Sequence, residues 1–208
     1  AAEINALSGD LAERIDSFRY KTRTGLCWIV FVGGTGTGKS TLFNAFCGSN
    51  LSETGVERPN TRGPVGYVFK GALEEEGFPV GDTEIVRADS RTPDRRPSGG
   101  RAGTLTLFEH GKRTWSHLLV LDTPDLDSVE HRNRRITREF MLLSDLVIFV
   151  TSQEKYADKA PLDALVPYVT EDQPVFFLLN KVRDRIPREE IQRIFSAKNS
   201  SLQVDRIH

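Results

Sequence analysis

Four uninterrupted apolar stretches punctuate the chain: Leu26-Cys-Trp-Ile-Val-Phe-Val32, Leu118-Leu-Val-Leu121, the Leu-Val-Ile-Phe-Val150 that follows Asp145, and Val175-Phe-Phe-Leu-Leu179. Each has strand length. A strand with one wet face alternates apolar and polar residues, whereas one buried on both faces reads as a continuous apolar run. Between them, apolar residues recur at helical spacing near 39–48, 130–143, 160–169 and 187–197. Strands alternating with helices predict βαβ units and an α/β fold: a doubly wound, mainly parallel sheet with helices on both faces.

Two weaker strands, Val65–Lys70 and Thr104–Glu109, alternate in polarity and are expected at the edge of the sheet. Residues 71–103 between them read as an insertion whose second half, Arg91 to Arg101, is dense in Pro and Gly and is expected to be a mobile loop. Its arginines at 91, 95, 96 and 101 either stay solvated or meet phosphate or an acidic partner. At the other end, Ile4, Leu7, Leu11, Ile15 and Phe18 lie three and four apart, which predicts an amphipathic helix over 3–18. Its apolar stripe packs on the domain or pairs with a helix from outside it. The expected organisation is an N-terminal helix and linker over 1–24, then one domain over 25–208. Gln203–His208 looks like the opening of a further strand. A complete doubly wound domain needs that strand and a closing helix, so the chain reads as lacking both, or as the N-terminal part of a larger protein.

Composition narrows the class. A chain of 208 residues with 38% hydrophobic content is long enough for one well-packed α/β core. The net charge of -1 offers no global attraction to nucleic acid or an anionic membrane. Cys27 and Cys47 each lie inside an apolar stretch and read as buried, reduced thiols. No apolar run approaches the roughly 20 residues a membrane span requires, and no basic segment followed by an apolar one opens the chain. These features predict a soluble, cytoplasmic protein.

The chemistry begins where the first apolar strand ends. Gly33, Gly34, Thr35, Gly36, Thr37, Gly38, Lys39 and Ser40 match G-x-x-x-x-G-K-[ST] without a mismatch, after a buried strand and before a helix. Glycines let such a loop curl into a nest of inward amides, and the helix N-terminus adds a favourable dipole for phosphate. Lys39 supplies a point charge to the β- and γ-phosphates, the Ser40 hydroxyl ligates Mg2+, and Thr41 lies where an α-phosphate contact is common. Asp122, at the end of Leu118–Leu121, stands where a second acid holds the metal through water.

With these residues the chain resembles translation-factor-class P-loop GTPases, and its detail is similar to dynamin-like and Era-like bacterial GTPases from about Leu26 to Lys181. The resemblance implies Mg2+ with GTP or GDP as ligand. Val56-Glu-Arg-Pro-Asn-Thr61-Arg-Gly-Pro64 lies where such proteins carry switch I, so Thr61 is expected to close over the nucleotide and ligate Mg2+, sharing the catalytic work with Lys39. Asp122-Thr-Pro-Asp125 matches the Asp-x-x-Gly switch II motif except at Asp125, which stands where the family has glycine. A carboxylate there faces an anionic ligand, so the segment is expected to stand back from the γ-phosphate in some states. Leu126 replaces the water-orienting glutamine of Ras-like enzymes, and leucine cannot orient water. Slow intrinsic hydrolysis follows, aided by self-association across the nucleotide face or by a partner.

Asn180-Lys181 resembles the start of the guanine-reading Asn-Lys-x-Asp motif. Arg183 occupies the aspartate position and Asp184 follows. A one-residue bulge brings Asp184 to the base, or Asp184 caps a helix and the pocket is loose. Tyr156-Ala-Asp158 also resembles a segment near the nucleotide in these families. Two further readings stay open: a nucleotide-gated binding module with negligible hydrolysis, and an ATP-dependent P-loop enzyme. Dynamin-like relatives reshape membranes and Era-like ones attend ribosome assembly, and a protein, membrane or ribosomal partner would act through regions that follow His208.

Overall fold

The computed structural model describes residues 15–54, 63–81, 83–89, 103–128, 130–155 and 174–183, with single helical positions at 163, 165, 189 and 193. Its described strands are β1 (Cys27–Gly33), β2 (Val65–Phe69), β3 (Glu84–Asp89), β4 (Thr104–His110), β5 (Leu118–Asp122), β6 (Leu146–Ser152) and β7 (Val175–Asn180). The helices are α1 over residues 15–24, α2 (Lys39–Cys47) and α3 (His131–Leu143). The strands form one sheet in the order β3-β4-β2-β5-β1-β6-β7. Only the β2–β5 pairing among them is antiparallel, so β3, β4 and β2 run against the remaining four. The α/β class and the mainly parallel sheet are as the hydrophobic pattern predicts.

One expectation is corrected. Val65–Phe69 and Thr104–His110 are interior strands, and the edge is β3, from within residues 71–103. The alternation that suggests an edge comes from small residues the sheet buries: Thr104, Thr106 and Gly66 are all buried. A Cβ at Gly66 would come within 2.8 Å of Leu107 Cδ1, so glycine lets the flanking strands' leucines close over β2. Strand β3 escapes a sequence reading because it is six residues long and carries a charge at each end and Arg87 within. Arg87 ties that edge down, donating to Glu75, to Glu109 and to the Leu73 carbonyl.

The sheet buries both faces. Trp28, Val30 and Val32 of β1 join Leu119, Leu121, Phe140 and Met141 on the side covered by α1 and α3. Phe31 points the other way, with Phe43 and Cys47 of α2, Tyr67, Phe108 and Val120. Successive Cβ atoms of a strand face opposite sides, so the unbroken apolar run of β1 feeds two cores at once.

The N-terminal helix also departs from its expected form. It runs to residue 24, where Gly25 in the left-handed region (φ +62°) donates its amide to the Lys21 carbonyl at 2.8 Å. Of the apolar stripe, left open between packing on the domain and pairing with an outside helix, Ile15 and Phe18 are 42% and 72% exposed, and the residue that docks is Tyr20, 2% exposed. Its ring meets Trp28 and Phe78 edge-on at 6.3 and 5.8 Å, and its hydroxyl donates to the Glu74 carbonyl. Lys21 adds bonds to the Leu143 carbonyl at 2.7 Å and to Asp145 at 2.5 Å. Residues 1–14, and the helices expected near 160–169 and 187–197 beyond the single positions above, lie outside the described residues.

Candidate functional site

Register gathers the site at one end of the sheet. Phe31 of β1 pairs with Asp122 of β5, Gly33 with Val150 of β6, and Ser152 with Asn180 of β7. The glycine-rich loop therefore leaves β1 between the carboxyl ends of three parallel strands, where ligands bind in open α/β sheets. Two of its glycines are obligatory in space as well as in φ. A Cβ on Gly33 (φ +154°) would strike the Val150 carbonyl, and one on Gly38 (φ +98°) would strike the Asn180 side-chain amide.

Three consecutive loop carbonyls are tied down from outside. Thr35 O accepts from Lys155 Nζ at 2.9 Å, Gly36 O from Lys181 Nζ at 2.8 Å, and Thr37 O from Asn180 Nδ2 at 2.9 Å. These bonds fix the outer side of the loop, while the Thr37 amide turns back on the Gly34 carbonyl at 3.4 Å. Inside, Thr37 Oγ1 donates to the Gly34 carbonyl at 2.9 Å. Helix α2 opens directly after Gly38 with no side-chain cap on its first amides, which suits an anionic ligand at that terminus. Lys39, the first residue of α2, is buried at 4% exposure, Ser40 is half-buried and Thr41 is exposed.

Asp122 is fully buried at the end of β5. Its Oδ2 accepts from Ser52 Oγ at 2.6 Å, while Oδ1 is buried with no hydrogen-bond partner among the described residues. Burial pushes its carboxyl pKa up, the Lys39 charge and the Ser40 and Ser52 hydroxyls pull it down, and the Asp125 charge raises it again. A buried, unpartnered carboxylate oxygen costs free energy unless something positive meets it. Its proximity to the Ser40 hydroxyl makes a pair of hard oxygen donors that fits Mg2+. Among the described residues, no group of three His, Cys, Asp or Glu could hold a metal ion by itself.

Ser52 and Asn44 escape the sequence reading. Asn44 of α2 takes the amides of Leu51 and Ser52 on Oδ1 at 2.9 Å each and donates from Nδ2 to the Ser52 carbonyl at 2.8 Å. That clamp fixes the loop after α2 so that Ser52 reaches Asp122. Lys155, just past β6, is likewise unmarked except as a basic residue beyond a strand end.

In the segment after Asp122, the Asp125 carboxylate is ion-paired to Lys39 Nζ, with side-chain exposures of 21% and 4%. Asp127 Oδ1 accepts from the Thr35 amide at 3.0 Å and the Thr35 hydroxyl at 2.7 Å. Leu126 between them is a core residue, 7% exposed, and its amide donates to the Gly33 carbonyl at 3.1 Å. Asn180 and Lys181, at the end of β7, are brought to the loop as described. Arg183 is exposed and its amide donates to Gln153 Oε1 at 2.6 Å. Thr61, Asp184, Tyr156–Asp158 and the arginines at 91, 95, 96 and 101 lie outside the described residues.

A mostly parallel sheet with this loop, strand-end acid and Asn-Lys pair defines the fold as that of a P-loop GTPase. More specifically, the chain belongs to the family described as 50S ribosome-binding GTPase, whose sequence profile matches residues 28–181. It is 26% identical over 204 residues to a protein of Caldicellulosiruptor sp. (strain Rt8B.4) described as an uncharacterized protein in the xynA 3′ region; the match covers 93% of this chain and 47% of that protein. The chain thus spans about half the length of the curated relative it matches. Its fold is similar to Era in complex with MgGDPNP and nucleotides 1506–1542 of 16S ribosomal RNA (TM-score 0.54, 16% identity, 88% of this chain and 49% of that one). It is also similar to Aquifex aeolicus Era bound to GDP and AlF4− (TM-score 0.52, 15% identity, 88% and 50%). A bacterial dynamin from an oligomerised pair, described as a mechanism for sensing and tethering membranes, matches at TM-score 0.53 with 15% identity over 97% and 36%. Among the described residues, no helix is long and apolar enough to cross a membrane.

Proposed function

We propose that this chain binds GTP with Mg2+ in the Gly33–Ser40 loop and hydrolyses it slowly to GDP and inorganic phosphate. The observation that carries this reading is the coupling of the loop to the Asn180-Lys181 pair: the two side chains donate to the Thr37 and Gly36 carbonyls. One tie thus shapes the phosphate nest and fixes the strand end that would read the base. Membership of a GTPase family supports guanine over adenine.

In this reading the loop amides and Lys39 hold the β- and γ-phosphates, with Thr41 near the α-phosphate. Ser40 and Asp122 would hold Mg2+, Asp122 through water, and Thr61 would complete its ligand set. When bound, Mg2+ would supply positive charge that offsets the negative charge developing as the phosphoryl group is transferred. Water attacks the γ-phosphorus, the β–γ bridging bond breaks, and GDP departs with that electron pair. Lys39 offsets the charge on the departing oxygen. Leu126 lies in the core and offers the water no hydrogen bond, so turnover rests on a group supplied by self-association or by a partner. A ribosomal partner accords with the family description.

The test is a titration of labelled GTP, GDP and ATP, followed by phosphate release with wild type and Lys39→Ala. GTP and GDP binding that Lys39→Ala abolishes, with slow release that rises with protein concentration, is the expected result. Tighter ATP than GTP binding overturns the guanine assignment, and guanine binding without release at any protein concentration overturns the hydrolytic one.

A further inference from the structure

The loop's phosphate donors already serve two carboxylates of the chain's own. Asp125 takes Lys39 Nζ, and Asp127 takes both the amide and the hydroxyl of Thr35. The three residues 125–127 are not a loose strand of loop. Thr123 donates to the Phe31 carbonyl through its hydroxyl at 2.8 Å, Leu126 sits in the core, and its amide is held by Gly33. Ser128 N closes a turn on the Asp125 carbonyl at 3.0 Å. The segment lies across the loop, with one acid on the lysine and the other on Thr35.

We infer that Asp125 and Asp127 form an internal anionic plug that competes with the nucleotide's phosphates for Lys39 and Thr35. The inference rests on the reading of Gly33–Ser40 as the phosphate site. Physically, the loop, the uncapped start of α2 and a buried lysine concentrate positive potential in one place, which an anion must balance. A polyphosphate and two carboxylates crowd the same groups, and like charges a few ångströms apart repel strongly in a partly buried site. Entry of the phosphates therefore expels the segment. Leu126 has to follow its neighbours, so nucleotide entry would be transmitted to the core beneath α3. Glycine at position 125, the family's residue, would carry no such competing charge.

The plug makes a prediction opposite in sign to a structural role. Charge-neutral Asp125→Asn and Asp127→Asn would tighten binding, because only the plugged state loses a charged hydrogen bond. The gain is about tenfold or more for Asp125, whose partner is buried, and smaller for exposed Asp127. The experiment measures dissociation constants by calorimetry for labelled GTP, GDP and magnesium pyrophosphate, the last a probe with no base. The proteins are wild type, both single variants and the double. Tightening for all three ligands, largest in the double variant, supports the plug. Unchanged or weaker binding by correctly folded variants overturns the plug while leaving the phosphate site standing. If neither wild type nor variants bind any of the three ligands, the phosphate-site reading itself fails and takes the plug with it. Should Asp125→Asn fold poorly, hydrogen exchange on wild type decides. Amides of residues 126–128 exchange faster when GTP or pyrophosphate is added if the segment is expelled, and unchanged or slowed exchange there overturns the proposal.

Discussion

Asn180 Nδ2 donates to the Thr37 carbonyl at 2.9 Å across 143 residues of sequence, joining the end of β7 to the apex of the glycine-rich loop. Gly38 follows Thr37, and a Cβ there would strike that same amide. The left-handed conformation of Gly38 adds about 1–2 kcal/mol for any other residue. Gly38→Ala is therefore expected to displace Asn180 and cost both stability and ligand affinity. Asn180→Ala leaves the Thr37 carbonyl without its donor, at about 1 kcal/mol. Urea unfolding beside GTP titration checks both: a Gly38→Ala protein with wild-type affinity would mean that the contact does not shape the site.

Ser52 offers the second prediction. Its hydroxyl serves the fully buried Asp122, so Ser52→Ala is expected to cost about 1–3 kcal/mol and to leave a still more exposed need for positive charge at Asp122. Added Mg2+ with GTP should then raise the melting temperature by more in Ser52→Ala than in wild type. An equal or smaller increment in the variant would argue against Asp122 as a metal-facing acid.

Tyr20 makes stability depend on alkaline pH. Burial pushes its phenol pKa from 10.0 up to about 12, with the Glu74 charge adding and Arg23 opposing. A raised folded-state pKa means that the neutral phenol stabilises the fold fully below about pH 10, and that this contribution is lost as pH rises through 12. Two units correspond to roughly 2–3 kcal/mol. Tyr20→Phe keeps the ring contacts with Trp28 and Phe78 but cannot ionise. Urea unfolding at pH 8 and pH 11.5 should show wild type losing stability that the variant keeps; parallel losses would place the effect elsewhere.

The two thiols should report different events. Cys47 is 1% exposed and its pKa is pushed up by burial, with Lys112 opposing and Asp122 adding; Cys27 is half-buried and also pushed up by burial, with Asp145 adding and Lys21 opposing. Since the thiolate is the reactive form, a disulfide reagent at pH 8 should label Cys27 slowly and Cys47 only at the rate of unfolding. Fast labelling of Cys47 under native conditions would show that α2 opens locally.

The strands and the phosphate loop were legible because their signals are local. An apolar run such as Leu26–Val32 can only be a doubly buried strand once glycines end it, and Gly38-Lys39-Ser40 sits where that strand must turn into a helix. Strand β3 and the docking face of α1 were not legible, because pairing to β4 and the choice of Tyr20 over Phe18 depend on what lies opposite. The same limit applies in the site. Nothing near Asn44, Ser52, Asp127 or Lys155 marks them, since each acts only through a partner distant in sequence or across a loop.

The sequence by itself determined the fold class, the places of its buried strands along the chain, the glycine-rich loop and the acid that ends β5, because periodicity and backbone freedom are properties of neighbouring residues. Only the tertiary structure decided how those parts meet: that Asp125 lies on Lys39, that Leu126 belongs to the core, and that three side chains tie down the loop's outer carbonyls. Electrostatic pairing and packing act through space, and the sheet's register sets which residues share that space.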